Sequence, residues 1–186
     1  MKYNTFIQYK QTVSKKADMK KMESPSAEAM LFQFLDGLNI PHRTYRHPPV
    51  FTVEEAQTVR EHMPHGGHSK NLFIRDKKKN YALVVAAEDR KIDLQSLSQV
   101  IGIGRPSFAS AERLQMYLGV EPGSVTPFAL LNAHKFNKPD HPAIIVALDK
   151  DLLAHSAVYF HPLHNSATTA ITPADLVVFV QACGFA

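Results

Sequence analysis

Apolar residues fall at helical spacing soon after the start of the chain: Met30, Leu31, Phe34, Leu35 and Leu38 recur three and four positions apart. Ser24 supplies a cap and Pro25 a first helical residue, while Asn39 and Pro41 end the helix. A short strand follows around Arg43–Arg46, then the stiff triplet His47-Pro48-Pro49. A second helix is predicted from Thr52, with Glu55 three residues on as a capping box, fading near His62 before Pro64 and Gly66-Gly67.

The period then shortens. Strands are predicted at 69–75 and 81–87, joined by the polar turn Asp76-Lys77-Lys78-Lys79-Asn80. Val84, Val85, Ala86 and Ala87 make the second strand apolar on both faces, which places it centrally. Asp93 caps a helix to about Ile101, and a short strand near Ser107–Phe108 leads to Ser110, the cap of a helix that ends at Gly119. Further strands are expected near 125–131, 143–148, 157–161 and 167–171, and Thr172-Pro173 opens a last helix that stops at Gly184. Many short strands mixed with four or five helices, without internal repeats, argue an α+β fold around a curved mixed sheet.

Composition refines this picture. The chain has 186 residues, 45% of them hydrophobic, enough for one domain with a sizeable core. The formal charge of +4 is unevenly placed. Residues 1–22 carry six lysines against Asp18 alone, a local +5, which leaves the remainder near neutral at −1. Residues 1–22 therefore read as a basic, flexible extension and residues 23–186 as the folded domain, and any contact with nucleic acid must come from a local patch. Cys183 is the single cysteine, set in an apolar helix, so no disulfide framework exists. No apolar run approaches the ~20 residues that span a bilayer, and the start lacks a secretory apolar region. The expected setting is the cytoplasm, with no membrane partner.

Four stretches could carry chemistry. In Ser69-Lys70-Asn71-Leu72-Phe73-Ile74-Arg75, strand alternation puts Lys70 with Leu72 and Ile74, and Asn71 with Phe73 and Arg75. A lysine heading an apolar face is either a solvated edge residue or a point charge at a pocket mouth, able to grip phosphate. Gly119-Val120-Glu121-Pro122-Gly123-Ser124 makes a tight loop that either serves as a helix cap and turn or presents backbone N–H groups to a ligand. Phe160-His161-Pro162-Leu163-His164-Asn165-Ser166-Ala167-Thr168 gathers His161, Asn165 and Thr168, groups that can position water or a sugar hydroxyl. The set His62, His65 and His68 resembles metal spacing, but Pro64 and Gly66-Gly67 break any helix that would make the rings converge. No metal or cofactor is expected. Neither a phosphate-binding GxxxxGK[ST] loop nor a GxSxG elbow is present.

In this order, Lys70-Asn71-Leu72-Phe73, Gly119-x-x-Pro122-Gly123-Ser124 and His161-Pro162-x-x-Asn165-x-x-Thr168 resemble the freestanding relatives of the bacterial prolyl-tRNA synthetase editing domain. This is the YbaK-type superfamily, and the branch most similar is that of the alanyl-tRNA(Pro) deacylases. The resemblance covers about residues 24–185. It implies a central, barrel-like mixed sheet with surrounding helices, and hydrolysis of the ester joining a wrong amino acid to the tRNA 3′ end, without a metal.

It further implies roles. Lys70 engages the terminal adenosine and its phosphate, accompanied by Asn71; Arg75 is expected to bind substrate too, although it makes the hairpin more basic than the family motif requires. Gly119, Gly123 and Ser124 surround the ester, and His161, Asn165 and Thr168 mark the third loop. Mischarged tRNA is the implied partner, with prolyl-tRNA synthetase as a candidate second one. Cysteinyl-tRNA(Pro) is the alternative substrate, and a non-catalytic tRNA- or nucleotide-binding module would use the same pocket. The three histidines before Lys70 and the basic hairpin depart from the family pattern.

Overall fold

The computed structural model describes residues 6–10, 26–49, 59, 63–133 and 144–185. Helix α1 spans Ala27–Gly37, and the Ser26 hydroxyl accepts the N–H of Ala29 at 3.2 Å. The cap of the helix is thus Ser26, whose hydroxyl reaches an N–H three residues on, and Ser24, expected to cap, lies outside the described residues. The helix buries Leu31 and Leu35 and sets Phe34 edge-on against Phe179. The expected helix at 52–62, with its capping box, lies outside the described residues apart from Val59.

The strands are β1 (Phe6–Lys10), β2 (Arg43–Arg46), β3 (Gly67–Arg75), β4 (Tyr81–Ala87), β5 (Ser107–Phe108), β6 (Ile144–Asp149), β7 (Val158–Phe160) and β8 (Ala167–Ile171). The other helices are α2 (Leu94–Ile101), α3 (Ala111–Leu118), α4 (Leu130–Ala133) and α5 (Pro173–Ala182). One mixed sheet runs in the order β1-β6-β4-β3-β7-β8-β2, with β5 attached to β3. The expected α+β class with a central mixed sheet is what the chain adopts, although among the described residues the sheet stays open and does not close on itself.

Strand β3 joins the two halves. Its first residues pair in parallel with β7 (Gly67 with Val158, His68 with Tyr159), whereas Ser69–Arg75 pair antiparallel with β4. Its two faces meet different apolar clusters. Phe73 shares the larger core with Tyr81, Leu83 and Val85, and Ile74 packs with Ala82, Val84, Ala86, Leu97 and Ile101 beneath α2. Every residue of β4 from Tyr81 to Ala86 is therefore buried, which accounts for its unbroken apolar run.

Two expectations fail here. Residues 125–131 are not a strand. The Thr126 hydroxyl accepts the N–H of Phe128 at 3.3 Å and Pro127 takes the first position of a 3-10 turn, which continues into α4. A capping threonine followed by proline starts a helix, and the apolar run Phe128–Leu130 is buried wholesale by tertiary packing. Phe6–Lys10, expected within a flexible extension, forms β1 against β6 with Phe6 and Tyr9 buried. The lysines around this short segment mask its alternation, and only β6 supplies the partner that makes it a strand. No helix among the described residues is long and apolar enough to cross a membrane.

Candidate functional site

The place where β3 changes partners is built by two glycines. A Cβ on Gly66 would stand 2.4 Å from the Tyr159 ring and 2.8 Å from the Ala157 carbonyl, and one on Gly67 would stand 2.7 Å from the His155 ring. Only glycine lets β3 begin this close to β7. Tyr159 is fixed in turn, donating from its hydroxyl to the Pro64 carbonyl at 2.7 Å and stacking on His68 at 4.8 Å. Burial, with Tyr45 adding to it and Arg43 opposing, pushes the Tyr159 phenol up, so it stays a neutral donor.

Beside this junction lies an open pocket, lined by polar and apolar groups together. Its walls are Val59, Met63, His68, Tyr159 and Phe160, and its polar groups come from His47, Ser69, Asn71, His161 and Thr168. A chain of hydrogen bonds orients one side. Ser69 donates its only hydroxyl proton to the Tyr159 carbonyl at 3.2 Å. It must therefore accept from Asn71, whose Nδ2 lies 3.2 Å away. The amide orientation follows, and Asn71 Oδ1 is left buried with no donor among the described residues.

The histidines form the other side. His161 Nδ1 donates to the Ala167 carbonyl at 3.0 Å, so the neutral ring carries its basic lone pair on Nε2. His47 Nδ1 donates to the Pro48 carbonyl at 2.8 Å, and Thr168 completes the pair at 2.9 Å from His47 Nε2. The two ring centroids stand 6.4 Å apart. The Ser69 hydroxyl is engaged by the Tyr159 carbonyl and Asn71, whereas the Thr168 hydroxyl is the one that meets an imidazole, that of His47. The arrangement suits binding a polar ligand and positioning water.

Of the residues singled out from sequence, Asn71, His161 and Thr168 meet in this pocket. Lys70 does not line it. Alternation turns its side chain to the opposite face, where Nζ donates to the Glu88 carbonyl at 2.8 Å and to the Arg90 carbonyl. That turn is held further by Arg90 pairing with the fully buried Asp149 and with Asp151. Gly119 adopts φ 65 as the helix cap and sits against Asn132, and its N–H goes to Gln115. Gly123 sits at φ 87 in an exposed turn, and the Ser124 N–H goes to Glu121 at 3.0 Å. Two amides expected to face a carbonyl are thus already used. Asn165 is half-buried in the His161 loop without lining the pocket. Arg75, whose Nε is buried without a partner among the described residues, lies four strand residues from Asn71, roughly 13 Å away.

His62 lies outside the described residues, His65 is exposed, and the His68 ring is stacked on Tyr159. Among the described residues no three metal-binding side chains converge. Sequence reading missed His47, Ser69 and Met63 as pocket residues. Ser69 was within reach, since it shares its strand face with Asn71.

Residues 47–179 match the aminoacyl-tRNA editing domain family. The chain is 38% identical over 168 residues to prolyl-tRNA synthetase associated domain-containing protein 1 of Mus musculus, covering 88% of this chain and 95% of that one. It is 39% identical over 165 residues to the prolyl-tRNA editing protein ProX of Acetoanaerobium sticklandii, with the same coverage of each. A crystal structure described as a candidate trans-editing enzyme for prolyl tRNA synthetase superposes with a TM-score of 0.62 at 23% identity, covering 85% of this chain and 94% of that one.

Proposed function

This chain belongs to the aminoacyl-tRNA editing domain family, and from that premise we propose that its pocket hydrolyses the ester of mischarged tRNA, with alanyl-tRNA(Pro) as the preferred substrate. The observation that carries the reading is the buried, unpartnered Asn71 Oδ1 in a polar-lined pocket. Such an acceptor awaits a donor, and the α-ammonium of an aminoacyl ester is one, giving a charge-assisted bond.

An aminoacyl ester is already activated, so its hydrolysis needs placement more than a strong base. In this reading the ammonium bonds Asn71, and water is drawn toward Nε2 of His161. Thr168 and His47 supply polarity around the carbonyl as charge develops there. Lys70 acts from outside the pocket. Two of its ammonium protons go to the Glu88 and Arg90 carbonyls, and the third remains for a phosphate of the tRNA end. Met63, Tyr159 and Phe160 form the walls, and they favour a methyl side chain over the pyrrolidine ring by steric clash. Association with prolyl-tRNA synthetase is part of the same proposal, as the route by which mischarged tRNA arrives.

The test is a deacylation panel with alanyl-, cysteinyl-, seryl- and prolyl-tRNA(Pro). Alanyl-tRNA(Pro) should be hydrolysed fastest and prolyl-tRNA(Pro) spared. Faster turnover of the cysteinyl ester would move the substrate assignment, and binding without turnover of any ester would refute catalysis.

A further inference from the structure

The two pocket histidines sit on separate chain segments, and a single carboxylate outside the pocket ties both segments together. Glu28 lies in the first turn of α1, with its side chain 17% exposed. Arg46, the last residue of β2, grips it with both guanidinium nitrogens, Nη1 at 2.7 Å from Oε1 and Nη2 at 2.8 Å from Oε2. The next residue along the chain is His47. On the other side, His164 Nε2 donates to Glu28 Oε1 at 3.0 Å. His164 stands three residues after His161 and four before Thr168.

The His164 ring is held at both ends. The Ser166 N–H reaches Nδ1 at 3.3 Å and the Ser166 hydroxyl lies 2.8 Å from it. Because that N–H can only donate, Nδ1 is the acceptor and Nε2 carries the proton given to Glu28. The Ser166 carbonyl accepts the N–H of His47 at 3.2 Å, closing the circuit between the two segments. Within the loop Leu163 is buried with φ 72, a left-handed conformation unfavourable for a branched side chain, and its N–H bonds the His161 carbonyl at 2.9 Å. Such a backbone persists only where its surroundings dictate it. Burial pushes the Glu28 carboxyl up, but hydrogen bonds from Arg46 and His164, with the Arg46 charge, outweigh this and hold it below the usual range.

We propose that Glu28 is a positioning residue, which sets the spacing of His47 and His161 across the pocket by clamping Arg46 on one segment and His164 on the other. The pair Arg46–Glu28 alone would be a half-exposed ion pair of small worth. Its function lies in joining α1 to both strand ends at the pocket. The inference rests on the deacylation reading for its kinetic consequence, though not for its structural one.

The experiment uses the full chain carrying Glu28→Ala, Glu28→Gln, His164→Ala, His161→Ala and the Glu28→Ala/His161→Ala pair. Glu28→Ala should lower the single-turnover deacylation rate at saturating protein about tenfold or more, while affinity for the aminoacyl-tRNA moves by less than about twofold. Glu28→Gln, which keeps an acceptor oxygen, should recover part of the rate. The double variant should lose less than the product of the single losses, because both changes act on one group. Imidazole C–H resonances of His47 and His161 should shift in Glu28→Ala.

A folded Glu28→Ala with unchanged rate and unchanged histidine resonances overturns the proposal, as do losses that multiply. If Glu28→Ala does not fold, His164→Ala carries the same readouts. A wild-type protein that hydrolyses no aminoacyl-tRNA refutes the function instead, and the resonance shifts still decide whether Glu28 sets the histidine spacing.

Discussion

Replacing Asn71 with leucine separates binding from folding at the pocket. Leucine nearly matches asparagine in shape and removes both amide atoms. In the free protein the change loses the bond from Nδ2 to Ser69 Oγ at 3.2 Å, worth about 0.5–1.5 kcal/mol. It also removes a buried acceptor that lacks a donor among the described residues, whose burial costs about 1–3 kcal/mol. The balance runs from a loss of about 0.5 to a gain of about 2.5 kcal/mol. At this chain length each kcal/mol moves Tm by about 2–4 °C, so Tm should nearly hold or rise by several degrees. The substrate, however, loses a hydrogen bond to a charged donor worth about 1.5–3 kcal/mol. At about 1.4 kcal/mol per factor of ten, kcat/KM should fall about 10- to 150-fold. Thermal denaturation and single-turnover deacylation, run on the same preparation, read both effects. A Tm that falls by more than about 4 °C would show that Oδ1 is satisfied in the free protein. Unchanged turnover at full stability would remove Asn71 from the site.

Two further changes probe the rest of the framework. Lys70→Met keeps the aliphatic stem and deletes the ammonium that caps the Glu88 and Arg90 carbonyls. It should weaken tRNA binding and lower the slope of log affinity against log salt by about one, and an unchanged slope would reduce Lys70 to a support for that turn. Asp76 is buried and accepts from Asn80 N–H at 2.9 Å, Asn80 Nδ2 at 2.7 Å and Gly104 N–H at 2.9 Å. Burial pushes its carboxyl up, but these bonds and one from the Lys78 backbone outweigh that and hold it below the usual range. A depressed folded pKa gives stability that is complete above the unfolded value of about 3.9 and drains away as pH falls through the folded value. Asp76→Asn should therefore cost about 1–3 kcal/mol at pH 6. The gap to wild type in urea midpoints should narrow toward pH 3, and a pH-independent gap would contradict the assignment.

Much of this protein was legible in its sequence because the signals are local. Thr172-Pro173, Asp93 and Gly119 mark helix ends through their own backbone and capping chemistry, and helices α2, α3 and α5 form beside them. The apolar run of β4 announced a strand buried on both faces. The ordered loops announced the family, which the match over residues 47–179 shows.

What the sequence could not fix is which side chains meet. Lys70 and Asn71 are adjacent in the chain, yet strand alternation sends them to opposite faces, and only the pairing of β3 with β7 decides that Asn71 faces the pocket. His47 and Thr168 lie 121 residues apart and touch because β2 pairs with β8. Phe6–Lys10 becomes a strand only because β6 offers an open edge. Local chemistry sets where elements begin and end, since caps and turns act over three or four residues. The pocket is made by long-range pairing, whose register depends on partners that no local pattern names.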